Sequence, residues 1–144
     1  MEKRWIVGVL CMVALIALLT TAIIYMFRPY DLTTPREIVF GQSAAFKRGG
    51  PAQMGRDLRH GVLAAFARAN REGGIEGNTL RLVSMDDGYK PKRASANVKR
   101  MIEDLDVFAI VCPLGTPTTK AFLEQIIRNN SLMVGPYTGA EVLR

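Results

Sequence analysis

Apolar and polar residues follow two different periods along the chain. Residues 52–71 place apolar side chains three and four positions apart with arginines between them, which predicts an amphipathic helix with its apolar face on the core. Helices of the same kind are predicted from Pro91 to about Leu105 and from Thr116 to about Asn129. Short β-prone runs separate the helices, and the predicted strands are 38–40, 79–85, 107–112 and 132–134.

The resulting order, β-α-β-α-β-α-β, predicts an α/β fold: a parallel sheet with right-handed crossovers and helices on both faces. The first strand is expected to end at Gly41, with a loop over 42–51. In open α/β sheets, ligands bind beyond the carboxyl ends of the strands. The segments expected to face a ligand are therefore 43–50, 86–91, 113–118 and 135–139.

An apolar segment precedes this pattern, and no charged residue lies between Trp5 and Phe27. The segment exceeds the roughly 20 residues that span a bilayer, and the basic residues before it predict a cytoplasmic amino terminus. We predict a cytoplasmic end at 1–4, one transmembrane helix at 5–27, a linker at 28–36 and an exported domain at 37–144. The alternative is a signal peptide that is cleaved after the small residues 20–22.

Composition narrows the choice of function. A length of 144 residues allows one domain at most, and 49% hydrophobic residues are enough for a core. The net charge of +6 is scattered, and the densest basic cluster, 90–93, is short and lacks interleaved aromatic residues, so no nucleic-acid binding is predicted. Cys11 lies inside the apolar segment and cannot pair with Cys112, and no Cys or His spacing predicts a metal site.

No motif predicts catalysis or a cofactor. The single histidine, His60, falls on the polar side of its helix without a partner for general-base chemistry, and the phosphate-loop, dinucleotide and nucleophile-elbow patterns do not occur. We predict that the chain is not an enzyme and has no cofactor. Asp86 and Asp87 are open to two interpretations, a magnesium site or a turn whose backbone donors they accept. The turn is favoured, because the pair follows the second strand rather than the first.

Two segments carry groups suited to binding a small anion. Thr116 and Pro117 directly follow the third strand and open a helix whose first backbone N–H groups attract negative charge. The alternative is that Thr116 only caps its own helix. Residues 135–139 offer a hydroxyl, an aromatic ring and flexible backbone, or else form an ordinary turn.

The ordered series of motifs resembles type I periplasmic binding proteins of the leucine/isoleucine/valine class. The segments that carry the resemblance are Asn70-Arg71-Glu72-Gly73-Gly74-Ile75-Glu76-Gly77, Asp86-Asp87, Pro91 with Ala94 and Asn97, Gly115-Thr116-Pro117-Thr118, and Gly135-Pro136-Tyr137-Thr138-Gly139-Ala140-Glu141. In that family two α/β lobes close on a small ligand, often an amino acid, and the first lobe holds its carboxylate and ammonium groups. The resemblance implies ligand contacts from Gly115, Thr116, Tyr137, Thr138 and Gly139, with Met54 near the ligand's side chain.

The resemblance covers residues 37–144 and corresponds to the first lobe, so we expect a fragment of a longer gene product or a truncated one. It implies capture of an amino acid or related anion for an ABC importer, with an ABC permease as partner. One alternative is the ligand-sensing domain of a membrane-anchored receptor fused to a kinase or cyclase output domain. Another is a truncated fragment that binds nothing. The expected location is the inner membrane with the domain in the periplasm, or the periplasm alone after signal cleavage.

Overall fold

The computed structural model describes residues 2–26, 36–47 and 51–143. These residues belong to two compact units, Met1–Thr34 and Pro35–Arg144. The elements are α1 (Glu2–Met26), β1 (Glu37–Ala44), α2 (Ala52–Arg71), β2 (Thr79–Asp86), α3 (Pro91–Glu103), β3 (Ala109–Val111), α4 (Thr116–Arg128), β4 (Leu132–Val134) and a short 3-10 helix (Glu141–Leu143).

In the first unit the structure describes helix α1, which contains the apolar amino-terminal segment up to residue 26. Within the described residues, no helix meets the combined requirement of length and hydropathy for crossing a bilayer. The transmembrane helix predicted at 5–27 is therefore not supported. Residue 27 of that segment and residues 28–35 of the predicted linker lie outside the described residues.

The second unit is built on a parallel four-stranded sheet in the order β2-β1-β3-β4, which confirms the predicted α/β fold. β1 pairs with β2 along its whole length, from Glu37 opposite Thr79 to Ala44 opposite Asp86. On its other side β1 pairs with β3, which in turn pairs with β4. The carboxyl ends of all four strands therefore lie along one edge of the sheet.

β1 extends to Ala44, so the prediction that it ends at Gly41 was wrong. The cause is two polar residues, Gln42 and Ser43, that suggested a loop but are buried in the sheet with hydrogen-bond partners. Gln42 Nε2 donates to the carbonyl oxygen of Cys112 at 3.3 Å, and Ser84 Oγ donates to Gln42 Oε1 at 3.3 Å. Burying a polar side chain is tolerated when it is hydrogen-bonded in this way.

β3 covers residues 109–111, a shorter span than the predicted 107–112. Val107 packs against the core before the strand begins, and the Phe108 N–H donates to the carbonyl oxygen of Val39 at 2.7 Å. Cys112 has a φ of 46°, outside the β region, and this ends the strand.

The helices of the second unit begin where the sequence predicts. Pro91 is the first residue of α3 and Pro117 the second residue of α4, and in this first turn a missing N–H costs no intrahelical hydrogen bond. α2 ends before Gly73, which has a φ of 99° as expected of a glycine past a helix end.

The helices cover the two faces of the sheet unequally. Successive residues of a strand point to opposite faces. The Phe40 ring contacts Phe66 of α2, with ring centroids 4.9 Å apart, whereas Gly41 backs onto Met101 of α3. α3 and α4 pack against each other on the Gly41 side and enclose the buried cluster of Ala94, Val98, Met101, Ile110, Phe122 and Ile126.

Helix α2 lies on the Phe40 side and fully buries only Ala52 and Gly55. Its predicted core-facing stripe is therefore only partly covered, and Met54 is 42% exposed. The period of the apolar residues was predicted correctly, but their burial was not, because α3 and α4 both lie on the opposite face.

We predict opposite effects of one substitution at two glycines of α2. In Gly55→Ala the new Cβ would collide with the backbone carbonyl oxygen of Ala45, so we expect a loss of about 1–3 kcal/mol in the free energy of unfolding. In Gly61→Ala the Cβ meets no atom within 4 Å, so replacing a helical glycine should add up to about 1 kcal/mol. Urea denaturation of the 144-residue chain measures both values, and equal effects at the two sites would contradict the close packing of α2 on Ala45.

Candidate functional site

A cleft of about 600 Å³ opens beyond the carboxyl edge of the sheet. The start of α2 and the loops that follow β2, β3 and β4 form its walls. Its lining residues are Pro51, Met54, Tyr89, Leu114, Gly115, Thr116, Pro136, Tyr137, Thr138 and Gly139. All six residues predicted to contact a ligand are among them, so the fold brings the predicted set together.

The loops that leave β3 and β4 converge through hydrogen bonds. The Gly115 N–H donates to the carbonyl oxygen of Tyr137 at 3.0 Å, and the Tyr137 N–H donates to that of Pro113 at 2.9 Å. The hydroxyl groups of Thr116 and Thr138 lie 2.7 Å apart and share a hydrogen bond. Two hydroxyls are thus held side by side on the wall of the cleft.

Thr116 does not cap its own helix, which removes that alternative. Gly115 occupies the N-cap position of α4, and no side chain caps the helix there. The Thr116 hydroxyl is instead engaged with Thr138 on the cleft wall. The first N–H groups of a helix lack intrahelical acceptors, so this end of α4 presents backbone donors and a positive dipole end beside the hydroxyl pair.

Tyr89 is a cleft residue that the sequence prediction missed. Its ring packs against the backbone of Gly115, where a Cβ would overlap the ring, and Gly115 has a φ of 97° that favours glycine. Tyr89 itself has a φ of 61°, and its N–H donates to Asp87 Oδ1 at 2.7 Å. The loop at 86–91 was expected to face a ligand, but the direction of this ring depends on the turn conformation.

Asp87 is a buried carboxylate at the centre of this turn. Ser43 Oγ donates to Asp87 Oδ2 at 2.9 Å, and Asn97 Nδ2 donates to Ser43 Oγ at 3.2 Å. Burial raises the pKa of Asp87, the Tyr89 N–H and the Ser43 hydroxyl oppose the rise, and the charge of Asp86 adds to it. These contacts agree with the turn interpretation of the aspartate pair.

The pKa of Asp86 is shifted in the opposite direction from that of Asp87. Its Oδ1 accepts the backbone N–H groups of Phe46 at 2.8 Å and Lys47 at 3.4 Å, and Arg93 Nη2 lies 3.3 Å from Oδ2. Burial acts to raise the pKa of Asp86, but the two N–H donors and the Arg93 charge outweigh it and hold the pKa below its ordinary value. In the part of the chain that the structure describes, no cluster of three or more His, Cys, Asp or Glu residues could hold a metal ion.

Comparison with known proteins identifies one family model, described as periplasmic binding protein, that matches residues 43–142. The chain is 30% identical over 141 residues to the Leu/Ile/Val-binding protein homolog 2 of Brucella abortus, covering 96% of this chain and 33% of that protein. It is 32% identical over 97 residues to the chemotactic signal transduction system substrate-binding protein BasB of Halobacterium salinarum, covering 65% of this chain and 24% of the relative.

Among solved structures, a possible leucine/isoleucine/valine-binding protein from Rhodopirellula baltica superposes with a TM-score of 0.72 at 36% identity. The match covers 78% of this chain and 31% of that one. The chain thus spans about a third of the length of the Brucella relative and of this structure.

We predict that the two neighbouring aspartates change stability with pH in opposite directions. Because the folded state lowers the pKa of Asp86, its stabilisation is present above the ordinary carboxyl pKa of about 3.9 and is lost as the pH falls through the lower folded value. The difference in the free energy of unfolding between the parent chain and Asp86→Asn should therefore shrink between about pH 5 and pH 3.

The pKa of Asp87 is raised in the folded state, so its titration destabilises the fold as the pH rises from the ordinary value through the folded one. On acidification, the free energy of unfolding of the parent chain should therefore increase relative to that of Asp87→Asn. Urea denaturation at several pH values measures both differences, and parallel trends for the two variants would contradict the assignment.

Proposed function

The chain belongs to the periplasmic binding protein family, and on that premise we propose that it captures a small solute, an amino acid or related anion, for an ABC importer. In this proposal its partners are the solute and an ABC permease, and it works in the periplasm. The observation that carries the proposal is the convergence of the loops after β3 and β4, which places two hydroxyls and a helix start on one cleft wall.

The hydroxyl pair supplies a donor whichever way its shared hydrogen bond runs. If Thr116 donates to Thr138, the Thr138 proton remains free, and the reverse direction leaves the Thr116 proton free. Thr138 Oγ1 also accepts the Ala140 N–H at 3.1 Å, which fixes its position. A carboxylate oxygen placed here would accept a charge-assisted hydrogen bond beside the positive end of α4.

The names of the relatives support the solute class. The Brucella relative is named as a Leu/Ile/Val-binding protein homolog, and the Rhodopirellula structure as a possible leucine/isoleucine/valine-binding protein. The cleft described here has walls from one lobe, whereas a second lobe would add contacts. We therefore expect the 144-residue chain to bind weakly, with a dissociation constant on the order of 1 mM.

A second candidate function is ligand sensing. The relative from Halobacterium salinarum is named as a substrate-binding protein of a chemotactic signal transduction system. The two candidates share the solute site and differ in the protein that receives the loaded domain. Co-purification of the full gene product with an ABC permease would favour transport, whereas a downstream coding region for a transmembrane segment and a kinase or cyclase would favour sensing.

We predict that removing either hydroxyl of the pair weakens carboxylate binding about tenfold. Thr116→Val and Thr138→Val keep the side-chain shape and delete one of the two hydroxyls. The remaining hydroxyl loses the hydrogen bond that orients it toward the carboxylate, and a hydrogen bond to a charged group is worth about 1.5–3 kcal/mol. Ligand-induced thermal shifts, with leucine, isoleucine and valine at millimolar concentration, measure the effect.

The matched control is Thr79→Val, which makes the same change at the first residue of β2, the opposite end of the sheet. It should leave the shift unchanged. Melting of each variant without ligand separates lost binding from lost stability. Unchanged shifts in both cleft variants, or no shift with any carboxylate, would contradict the proposed function.

A further inference from the structure

Three charged side chains converge on Phe46, the second residue after β1. The Phe46 N–H donates to Asp86 Oδ1 at 2.8 Å, and its carbonyl oxygen accepts a hydrogen bond from Arg56 Nη1 at 2.7 Å. The guanidinium carbon of Arg59 lies 5.1 Å from the centroid of the Phe46 ring, within the range of a cation–π contact. Asp86, Arg56 and Arg59 are called the Phe46 clamp, because they engage both backbone polar groups and the ring of this residue.

The Phe46 clamp joins the end of β1 to the start of α2. Arg56 is the fifth residue of α2, and while its Nη1 binds Phe46, its Nη2 donates to Gln53 Oε1 at 2.6 Å. The planar guanidinium therefore holds two acceptors in one fixed geometry. The neighbouring Gly55 lies against the carbonyl oxygen of Ala45, so α2 meets the chain after β1 at two consecutive residues.

Local signals fix the first turn of α2 only weakly. Pro51 occupies the N-cap position, and among the described residues no side chain caps the helix and no acidic residue lies in its first turn. A helix start without a cap or a complementary charge depends on tertiary contacts for its position. Arg56 provides such a contact by reaching back to Phe46.

The turn that Arg56 holds forms one wall of the cleft, through Pro51 and Met54. Neither Arg56 nor Arg59 is among the residues that line the cleft. Any effect of these two arginines on a solute must therefore pass through Phe46 and the start of α2.

The burial of Arg59 indicates a role other than stability. Its Nε is buried and has no hydrogen-bond partner within the described part of the chain. A buried donor without an acceptor costs free energy, and more so on a charged group. An apolar side chain would cover the Phe46 ring without that cost, so stability alone does not account for an arginine at this position.

We propose that Arg56 and Arg59 are positioning residues of the solute site. By holding Phe46 they fix the first turn of α2, so that Pro51 and Met54 stand in the cleft wall before a solute arrives. This inference rests on the proposed function, because it concerns the same cleft. It adds two residues that act on binding without touching the solute.

The first measurement is the affinity of the 144-residue chain for leucine, from ligand-induced thermal shifts. Arg56→Gln removes the guanidinium, and if the wall then stands in place in about one fifth of the molecules, the affinity falls about fivefold. Arg59→Leu keeps an apolar contact with the ring but removes the cation, and it should lower the affinity about two- to threefold. The matched control is Arg68→Gln, the same change on the same helix at an exposed arginine paired with Glu72, which should leave the affinity unchanged.

A second measurement separates positioning from stabilisation of the whole fold. Amide hydrogen exchange, followed by NMR without ligand, should accelerate about fivefold or more at Phe46 and Gly55 in Arg56→Gln, while the core amide of Ile110 stays as slow as in the parent chain. Excess leucine should slow the exchange of Phe46 and Gly55 again in this variant, because binding selects molecules whose wall is in place. If Arg56→Gln fails to fold, Arg56→Lys keeps the charge without the planar fork and should give the same local pattern at smaller size.

The outcomes separate this inference from the proposed function. Weaker leucine binding with equal acceleration at Phe46, Gly55 and Ile110 would mean that Arg56 only stabilises the fold, which overturns the inference and leaves solute binding standing. Local acceleration at Phe46 and Gly55 with unchanged affinity would also overturn it, because the cleft would then not depend on the Phe46 clamp. Absence of any shift with leucine, isoleucine or valine in the parent chain would overturn both.

Discussion

The buried hydrogen bond between Ser43 and Asp87 is the contact on which the cleft depends. It joins the carboxyl end of β1 to the loop after β2, and the Asp87 N–H reinforces it by donating to the carbonyl oxygen of Ala44 at 3.0 Å. A carboxylate taken out of water is costly unless its oxygens find donors. The Ser43 hydroxyl and the Tyr89 N–H supply them, so the same interaction that satisfies Asp87 also sets the turn that directs the Tyr89 ring toward Gly115.

The topology of the sheet explains where the polar groups of the cleft lie. Because the strands are parallel, the loops after β2, β3 and β4 meet at one edge, and the hydrogen-bonding groups gather there. Among the described helices of the second unit, α3 and α4 share one face of the sheet and α2 lies on the other.

Much of this arrangement was predictable from the sequence, and the exceptions have physical causes. Apolar spacing and the prolines at 91 and 117 gave the helix starts, because these signals act within a few residues of one another. Strand alternation with helices predicted the parallel sheet and the loops at its edge. The six predicted cleft residues meet because a parallel sheet leaves them no other edge.

The wrong predictions concern residues whose burial or conformation depends on contacts with distant parts of the chain. Gln42 and Ser43 resemble loop residues until Cys112, Ser84 and Asp87 supply partners. The apolar period of α2 shows which side of the helix is apolar, but it carries no information on what covers that side. The position of Tyr89 follows from a left-handed turn that the chemistry of Asp87 imposes.

Leu114 and Tyr137 form a parallel bridge just past the ends of β3 and β4, so the ladder of backbone hydrogen bonds continues into the cleft wall itself. The freedom of these loops is therefore lost when the sheet forms, and not when a solute arrives. Because the wall is already ordered, binding does not incur that entropy cost. Less of the free energy gained from contacts with the solute is therefore offset by ordering the protein.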